Sequence, residues 1–511
     1  VTALRAAAVA GCSAAAVVAG LRWLRVAQRE HYLPGAVTRF AWRWWRHDTV
    51  SVVGGAVALA GVVLAWWWPA AGLVTAAVVA AGPRGLSLRG RTSPLAWTRR
   101  LTTLAAVAAA LAATAVLVAS VTGAGPLTAA AVAVAVPLFV DIGCAITSPF
   151  ERAAAHTHVR RATERLRRVA PTVVAVTGSY GKTGTKGYVA HLAAGTRTVV
   201  ASPASFNNRA GLARAVNENL TDGTDVFVAE MGTFGPGEIA ELCSWLVPDV
   251  AVITAVGPVH LERFGSEDRI VAAKAEILAG AASAVVNIDD PRLAAVADGE
   301  EERGRRVRRV SDRLPGADVY VRDDGRELTL FVGGAEVGRA AAGAHPGNVA
   351  CAAAAALELG VPVEEIARRL ETLPTPPHRL ERSVGAGGFI VLDDTYNANP
   401  AGARAALGAL VSTAPPSARR VVVTPGMVEL GPKQVEENTT FARAVAGVAH
   451  DLVVVGRTNR RALLAGAGQA GTTALRCLVV TRRDQAVAWV RDHLGPGDIV
   501  LYENDLPDHY P

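Results

Sequence analysis

Five apolar runs crowd the first 150 residues, at about 3–21, 50–65, 70–82, 101–120 and 126–146. In hydrocarbon every backbone N–H and C=O must be satisfied within the chain, so runs of this kind cross a membrane as helices. A crossing takes roughly 17–25 residues. The first, fourth and fifth runs reach that length; the second and third fall short. Joined as one helix, 50–82 would be about 50 Å long, and Trp66, Trp67, Trp68 and Pro69 interrupt it. Trp favours the membrane–water interface and Pro breaks a helix, so a hairpin turning at these residues is expected. Charge agrees. Arg22, Arg25, Arg29, Arg39, Arg43 and Arg46 follow the first run, Arg84, Arg89, Arg91, Arg99 and Arg100 precede the fourth, and residues 121–125 carry no charge. The positive-inside rule puts the basic loops in the cytoplasm. The expectation is about five transmembrane helices over 1–150, a basic cytosolic linker over 151–171, and a multi-pass protein of the cytoplasmic (inner) membrane with its later residues in the cytoplasm. A signal peptide fits the first run less well, because no cluster of positive charge precedes it and further runs follow. Asp141 lies near the cytosolic end of the last run, which gives little support to a transport path.

Residues 1–170 hold 18 Arg against 5 acids, a balance of +13, which leaves −6 of the overall +7 for the rest. The Arg clusters flank apolar runs, and no stripe of basic and aromatic residues follows them. The lipid bilayer is therefore the expected partner of this end, and nucleic acid is not. Cys12, Cys144, Cys243, Cys351 and Cys477 show no metal or redox spacing and are expected as buried, reduced thiols, which suits the cytosol.

From 172 onward the pattern is α/β. Strands are expected at 172–177, 198–201, 225–230, 250–254 and 284–288, a small antiparallel excursion within 301–340, and helices over 346–372. A second series follows in FIVLDD, RRVVVTPG, HDLVVVG, LRCLVV and GDIVLYEN. With 511 residues the chain has room for about three domains. The fold class expected is a multi-span helical region, then a central P-loop ATPase-like domain with a parallel sheet over 172–375, then a Rossmann-like α/β domain over 376–511.

The strand 172–177 runs into Thr-Gly-Ser-Tyr-Gly-Lys-Thr and then a helix. Val176 stands where the full eight-residue phosphate loop has Gly, so this is the shorter Gly-x-x-Gly-Lys-Thr form. Backbone amides around Gly178, Ser179 and Gly181 can wrap phosphate oxygens at the helix start. Lys182 can reach the outer phosphates and Thr183 can offer its hydroxyl to Mg²⁺. Glu230 closes the strand 225–230, where a second acid would meet such a metal. His260 follows the next strand, at an edge where α/β sites form. Only four of the 52 basic residues are Lys: Lys182, Lys186, Lys274 and Lys433. In an Arg-rich chain the surviving lysines mark positions where a guanidinium does not serve, although chance survival accounts equally well for Lys186 and Lys433. Lys274 could add carbon dioxide through its neutral amine and so become an anion.

These residues resemble one family. TGSYGKTGTK, SFNNRAG, VAEMG, HLERFGS with AAKAEI, HPGNVACAAAAA, HRLE and LDDTYNANP occur in the order and at the spacings of the Mur ligases. They are most similar to the branch that adds D-alanyl-D-alanine to the UDP-N-acetylmuramoyl tripeptide. The likeness covers about 172–500, two of that family's three domains; apolar runs occupy the place of the domain that holds the UDP end. It implies ATP and Mg²⁺, an acyl phosphate made on a small-molecule carboxylate acceptor, and attack by an amino acid or dipeptide, with ADP and phosphate released. By resemblance Lys182 holds the γ-phosphate, Thr183, Glu230 and His260 serve the metals, and Lys274 is the carbamylated lysine. Asn207 and Asn208 line the acceptor and metal region. Asn348 reads adenine, and Arg379 and Asp394 contact ADP. Tyr396, Asn397 and Pro400 face nucleotide and amine. Two departures bear on substrate: Tyr502-Glu503-Asn504-Asp505 replaces a Lys-Gly-Ser loop, placing an anion where the amine substrate's carboxylate would be met, and Asn438 replaces a His. A γ-linked poly-amino-acid synthase and a P-loop ATPase coupled to transport are the alternatives, the second leaving the last α/β domain unexplained.

Overall fold

The computed structural model describes residues 2–88, 95–203, 206–341, 343–374, 381–395, 399–469, 475–506 and 510, apart from the side chains of 154, 155 and 262. The chain divides into two compact units, Val1–Ala155 with Leu506–Pro511, and His156–Asp505.

The first unit is helical: α1 (Thr2–Arg29), α2 (Ala36–Arg46), α3 (Thr49–Leu64), α4 (Pro69–Ala81), α5 (Arg99–Val121), α6 (Gly125–Val134) and α7 (Val136–Val169), the last continuing past the unit. By length and composition α1 and α5 suffice to cross a membrane, and up to four spans result if each bent pair of helices counts as one. The expected hairpin is present as α3 and α4, with Thr75 Oγ1 donating to Ala58 O at 3.0 Å, but at 16 and 13 residues each is short for a crossing. The expected continuous run 126–146 is corrected: it breaks between Val134 and Val136 with a 72° bend. Pro137 explains the break, because its ring cannot follow a helical residue 133 without meeting that carbonyl. Two buried charges here serve helix ends. Arg22 donates to the carbonyls of Val79, Ala80 and Gly82 at the end of α4, at 3.2, 2.6 and 2.9 Å. Asp141, buried, accepts from Val37 N, Thr38 N and Thr38 Oγ1 at the start of α2.

The second unit holds two sheets. The first comprises β1 (Thr172–Thr177), β2 (Val199–Ala201), β3 (Val226–Glu230), β4 (Val250–Ile253), β5 (Ser283–Asn287), β6 (Arg306–Ser311), β7 (Val319–Asp323), β8 (Glu327–Val332) and β9 (Ala335–Ala341), in the order β2-β3-β1-β4-β5-β6-β7-β8-β9. Pairing is parallel as far as β7 and antiparallel across β8 and β9. The expected excursion is therefore the continuation of the main sheet, since β6 and β7 join it in parallel. The central strands are apolar on both faces. Val174, Val176, Val228 and Val252 enter one core, and Ala175, Phe227, Ala251 and Ile253 the other. Helix Pro346–Glu358 packs on the first face beside helix Lys182–Ala193, with Ala350 to Ala356 wholly buried.

The second sheet comprises β10 (Glu381–Val384), β11 (Ile390–Asp394), β12 (Arg420–Thr424), β13 (Asp451–Val455), β14 (Arg476–Val480) and β15 (Ile499–Glu503). Its order is β10-β11-β15-β12-β13-β14, parallel except for β10. The junction expected near 374–380 lies almost entirely outside the described residues. Four cysteines are buried as expected; Cys477 is exposed, because β14 is an edge strand.

Candidate active site

The chain leaves β1 for β2 on one side and later crosses to β4 on the other. The loop after β1 thus opens at the point where the strand order reverses, the usual crevice of a parallel sheet. Gly178 and Gly181 are required there. A Cβ on Gly178 would lie 2.0 Å from Thr254 Oγ1, and one on Gly181 would lie 2.1 Å from Asn348 Oδ1. Gly181 has φ +79° and caps the helix that begins at Lys182. Ser179 is locked against Gly257, accepting from its amide at 3.2 Å, and its own amide donates to Ala255 O at 2.6 Å. Lys182 Nζ curls over the loop to Gly178 O at 2.8 Å. This is a cradle of helix-terminal amides with a cation above it, a fit for a polyphosphate.

Behind the cradle stands a buried polar cluster. Thr183 Oγ1 donates to Glu230 Oε2 at 2.9 Å, Asn207 Nδ2 to Glu230 Oε1 at 3.3 Å, and Lys186 Nζ lies 3.2 Å from Glu230 Oε2. Glu230 and Lys186 are 3% and 5% exposed. Mg²⁺ asks for one or two protein oxygens beside phosphates and water, and Thr183 with Glu230 meets that demand. Among the described residues no three His, Cys, Asp or Glu side chains gather as a metal cluster. Lys274 is buried near the end of helix Glu267–Ala275; burial, and then the positive Lys182, hold its ammonium well below the ordinary lysine range. The neutral amine that attacks carbon dioxide is thereby favoured.

The other expected residues divide. Asn348, near the start of helix Pro346–Glu358, touches Gly181 and so reaches the cradle. His260 meets Glu429 of the second sheet's loops. Asn208 caps helix Arg209–Asn219 through Gly211 N at 3.0 Å, and Pro400 fills the first turn of helix Pro400–Thr413. Asp394 ends β11, where its carbonyl accepts from Asn504 N. Arg379, Tyr396 and Asn397 lie outside the described residues. The expected anion at 502–505 is corrected. Glu503 is fully buried, with Oε2 accepting from Thr424 Oγ1 at 2.6 Å and Oε1 without a partner among the described residues, and Asp505 pairs with Arg483. Burial, then the nearby Asp394, push the Glu503 carboxyl up to about 8. Asn438 is also buried and pins the loop after β12 through Met427 N and O. Lys186 and Glu429 were not foreseen as site residues; the scarcity of lysine was the only sign of the first.

Two family models match the chain: the Mur ligase middle domain over residues 176–357, and the Mur ligase, glutamate ligase domain over 378–502. A UDP-N-acetylmuramoyl-tripeptide–D-alanyl-D-alanine ligase of Mycobacterium leprae is 36% identical over 363 residues, covering 65% of this chain and 70% of the relative. The enzyme of that name from Escherichia coli is 29% identical over 328 residues, covering 62% and 71%. Among solved structures, MurF from Acinetobacter baumannii superposes with TM-score 0.60 at 25% identity, covering 69% of this chain and 77% of that one. MurF ligase from Thermotoga maritima in complex with ADP gives 0.59 at 27% identity, covering 69% and 80%.

Proposed function

Because the chain belongs to the Mur ligase family, whose members are ATP-dependent amide-bond-forming ligases releasing ADP and phosphate, we propose that it joins a carboxylate of a peptidoglycan-type precursor to an amino acid or dipeptide at the cytoplasmic face of a membrane. The observation that carries this reading is the Thr183–Glu230–Lys186–Asn207 cluster directly behind a glycine cradle. The D-alanyl-D-alanine and UDP-linked tripeptide named for the relatives are the leading candidates for the two substrates.

In this reading ATP lies with its phosphates on the Gly178–Thr183 loop and its adenine towards Asn348, with Asp394 closing from the second sheet and Arg379, by the family likeness, contacting ADP. Lys182 leaves its carbonyl contact to follow the γ-phosphoryl as charge builds on it. The acceptor carboxylate attacks that phosphorus and ADP departs. The amine nitrogen then attacks the acyl carbon, and the tetrahedral adduct expels phosphate. Asn207, Asn208, Tyr396, Asn397 and Pro400 would border the acceptor and amine. Bound Mg²⁺ supplies neutralisation of phosphate charge, and Thr183, Glu230, His260 and Lys274 as its carbamate are the residues that would hold it. The apolar helices α1 and α5, the Trp66–Trp68 turn and the flanking arginines support anchoring in a bilayer. Confinement there would raise the effective concentration of a membrane-delivered acceptor.

The test is nucleotide turnover by the full chain in nanodiscs. ADP and phosphate should appear in equal amounts only when both a carboxylate acceptor and an amine are supplied. AMP as product, or turnover indifferent to the acceptor, would remove the acyl-phosphate reading.

A further inference from the structure

Four described non-glycine residues of the second unit sit in the left-handed backbone region, Ala170, His260, Glu429 and Asn504, and two of them face each other. His260, after β4, has φ +57°, and Glu429, after β12, has φ +64°. Nδ1 of His260 meets Oε2 of Glu429, and the amide of Leu261 donates to the Glu429 carbonyl at 3.1 Å. Non-glycine residues are held in this region only when their surroundings over-determine them, and such strain gathers at functional sites. Here the surroundings are visible. Phe234 packs edge-on against the His260 ring, with centroids 5.1 Å apart. On the other side, the loop carrying Glu429 is pinned three ways. Asn438 exchanges two bonds with Met427, Asn459 Nδ2 donates to the carbonyls of Pro425 and Met427, and Asn504 Nδ2 donates to Gly426 O. A rigid loop from one sheet thus presents a carboxylate to a histidine of the other.

A carboxylate accepts and cannot donate, so the proton of this bond lies on His260 Nδ1. In the neutral ring that leaves the lone pair on Nε2, and the ring plane is fixed by Phe234 and Glu429 together. Histidines that bind metals are commonly held in this way by a carboxylate on their other nitrogen. Resting on the proposed role of His260 at the metal, we propose that Glu429 is a positioning residue that sets the tautomer and orientation of His260 for a divalent cation, so that docking of the second sheet's loop completes the metal site. Since Glu429 comes from the nucleotide-closing half, metal affinity and closure become linked: whatever separates the two sheets releases His260, and metal binding favours their contact.

A second bridge between the halves provides the control. Lys433 Nζ lies 2.5 Å from Glu267 Oε1, with Lys433 half exposed. It joins the same two sheets' loops and does not touch His260. The experiment titrates Mn²⁺ into the full chain in nanodiscs with ADP present, reading the free-ion signal by electron paramagnetic resonance. Glu429→Ala should weaken Mn²⁺ binding about tenfold, His260→Ala at least as much, and the double variant no further than His260→Ala alone. Glu429→Gln should fall between parent and Glu429→Ala, and it replaces Glu429→Ala if that variant fails to fold by its melting curve. Lys433→Ala should leave Mn²⁺ binding within about twofold of the parent. Unchanged Mn²⁺ affinity in both Glu429 variants, with His260→Ala weakened, overturns the positioning role. Equal weakening by Glu429→Ala and Lys433→Ala also overturns it, because the effect is then adhesion between halves. Unchanged affinity in His260→Ala overturns the earlier assignment of His260 itself, and this proposal with it.

Discussion

Glu230 and Glu503 occupy equivalent places in two sheets: each closes a parallel strand at its C-terminal edge, and each is buried. Their company differs. Glu230 has a cation and two hydrogen-bond donors on its two oxygens. Glu503 has one hydroxyl, an oxygen without a partner among the described residues, and Asp394 paired with it in register on the neighbouring strand. A strand end supplies a location, and the partners decide what the location does. The first glutamate is arranged as an anion beside a phosphate cradle; the second is arranged to keep its proton and hold a loop.

The sharpest way to break this contrast is catalytic. Glu230→Ala should lower ATP turnover by about a thousandfold or more, whereas Glu503→Gln should stay within about threefold. Comparable losses in the two would erase the distinction. Next comes stability. Lys186→Met leaves the Glu230 carboxylate buried without its cation, which costs about 3 kcal/mol and should appear as a lower urea midpoint with an unchanged slope. A midpoint equal to the parent's would mean that Thr183 and Asn207 suffice. The smallest effect is the pH dependence of Glu503. In the unfolded chain its pKa is near 4.3; in the folded chain it is about 8. Between those values the native state binds a proton that the unfolded state has released, so its contribution to stability is full below about pH 4.3 and is lost as pH rises towards 8. Glu503→Gln removes that loss. It should melt a few degrees above the parent at alkaline pH, with the gap closing towards pH 5. A gap constant with pH would show that the carboxyl is not the titrating group.

Much of this was legible in the sequence, and what was not has a common cause. The central strands of both sheets follow apolar runs of three to four residues, so 172–177, 250–254 and 284–288 were placed within a residue or so. The Gly-Lys-Thr turn is local and reads directly. Lys186 did not, because its partner Glu230 is 44 positions away and only the β1–β3 pairing brings them together. Glu429 lies 169 positions from His260, on a loop whose shape depends on three asparagines from separate elements. Asn208 is the opposite case: an Asn directly before a helix is a cap by ordinary preference, and it caps helix Arg209–Asn219. The break at Pro137 hides inside an apolar run, because hydropathy does not register a missing amide hydrogen.

The helix Pro346–Glu358 has a further consequence. From Ala350 to Ala356, apart from Cys351, its buried side chains are single methyl groups, with no torsion to adjust and no rotamer to exchange. A face of single methyls lets a neighbour approach towards the close end of the usual helix spacing, roughly 8 Å between axes, and on this side it acts as a fixed shim; the facing helix Lys182–Ala193 brings the larger Tyr188, Val189 and Leu192. Asn348, a turn upstream, therefore inherits its distance from the glycine loop as a manufactured clearance, and one added methylene along this face would be felt where Asn348 meets Gly181.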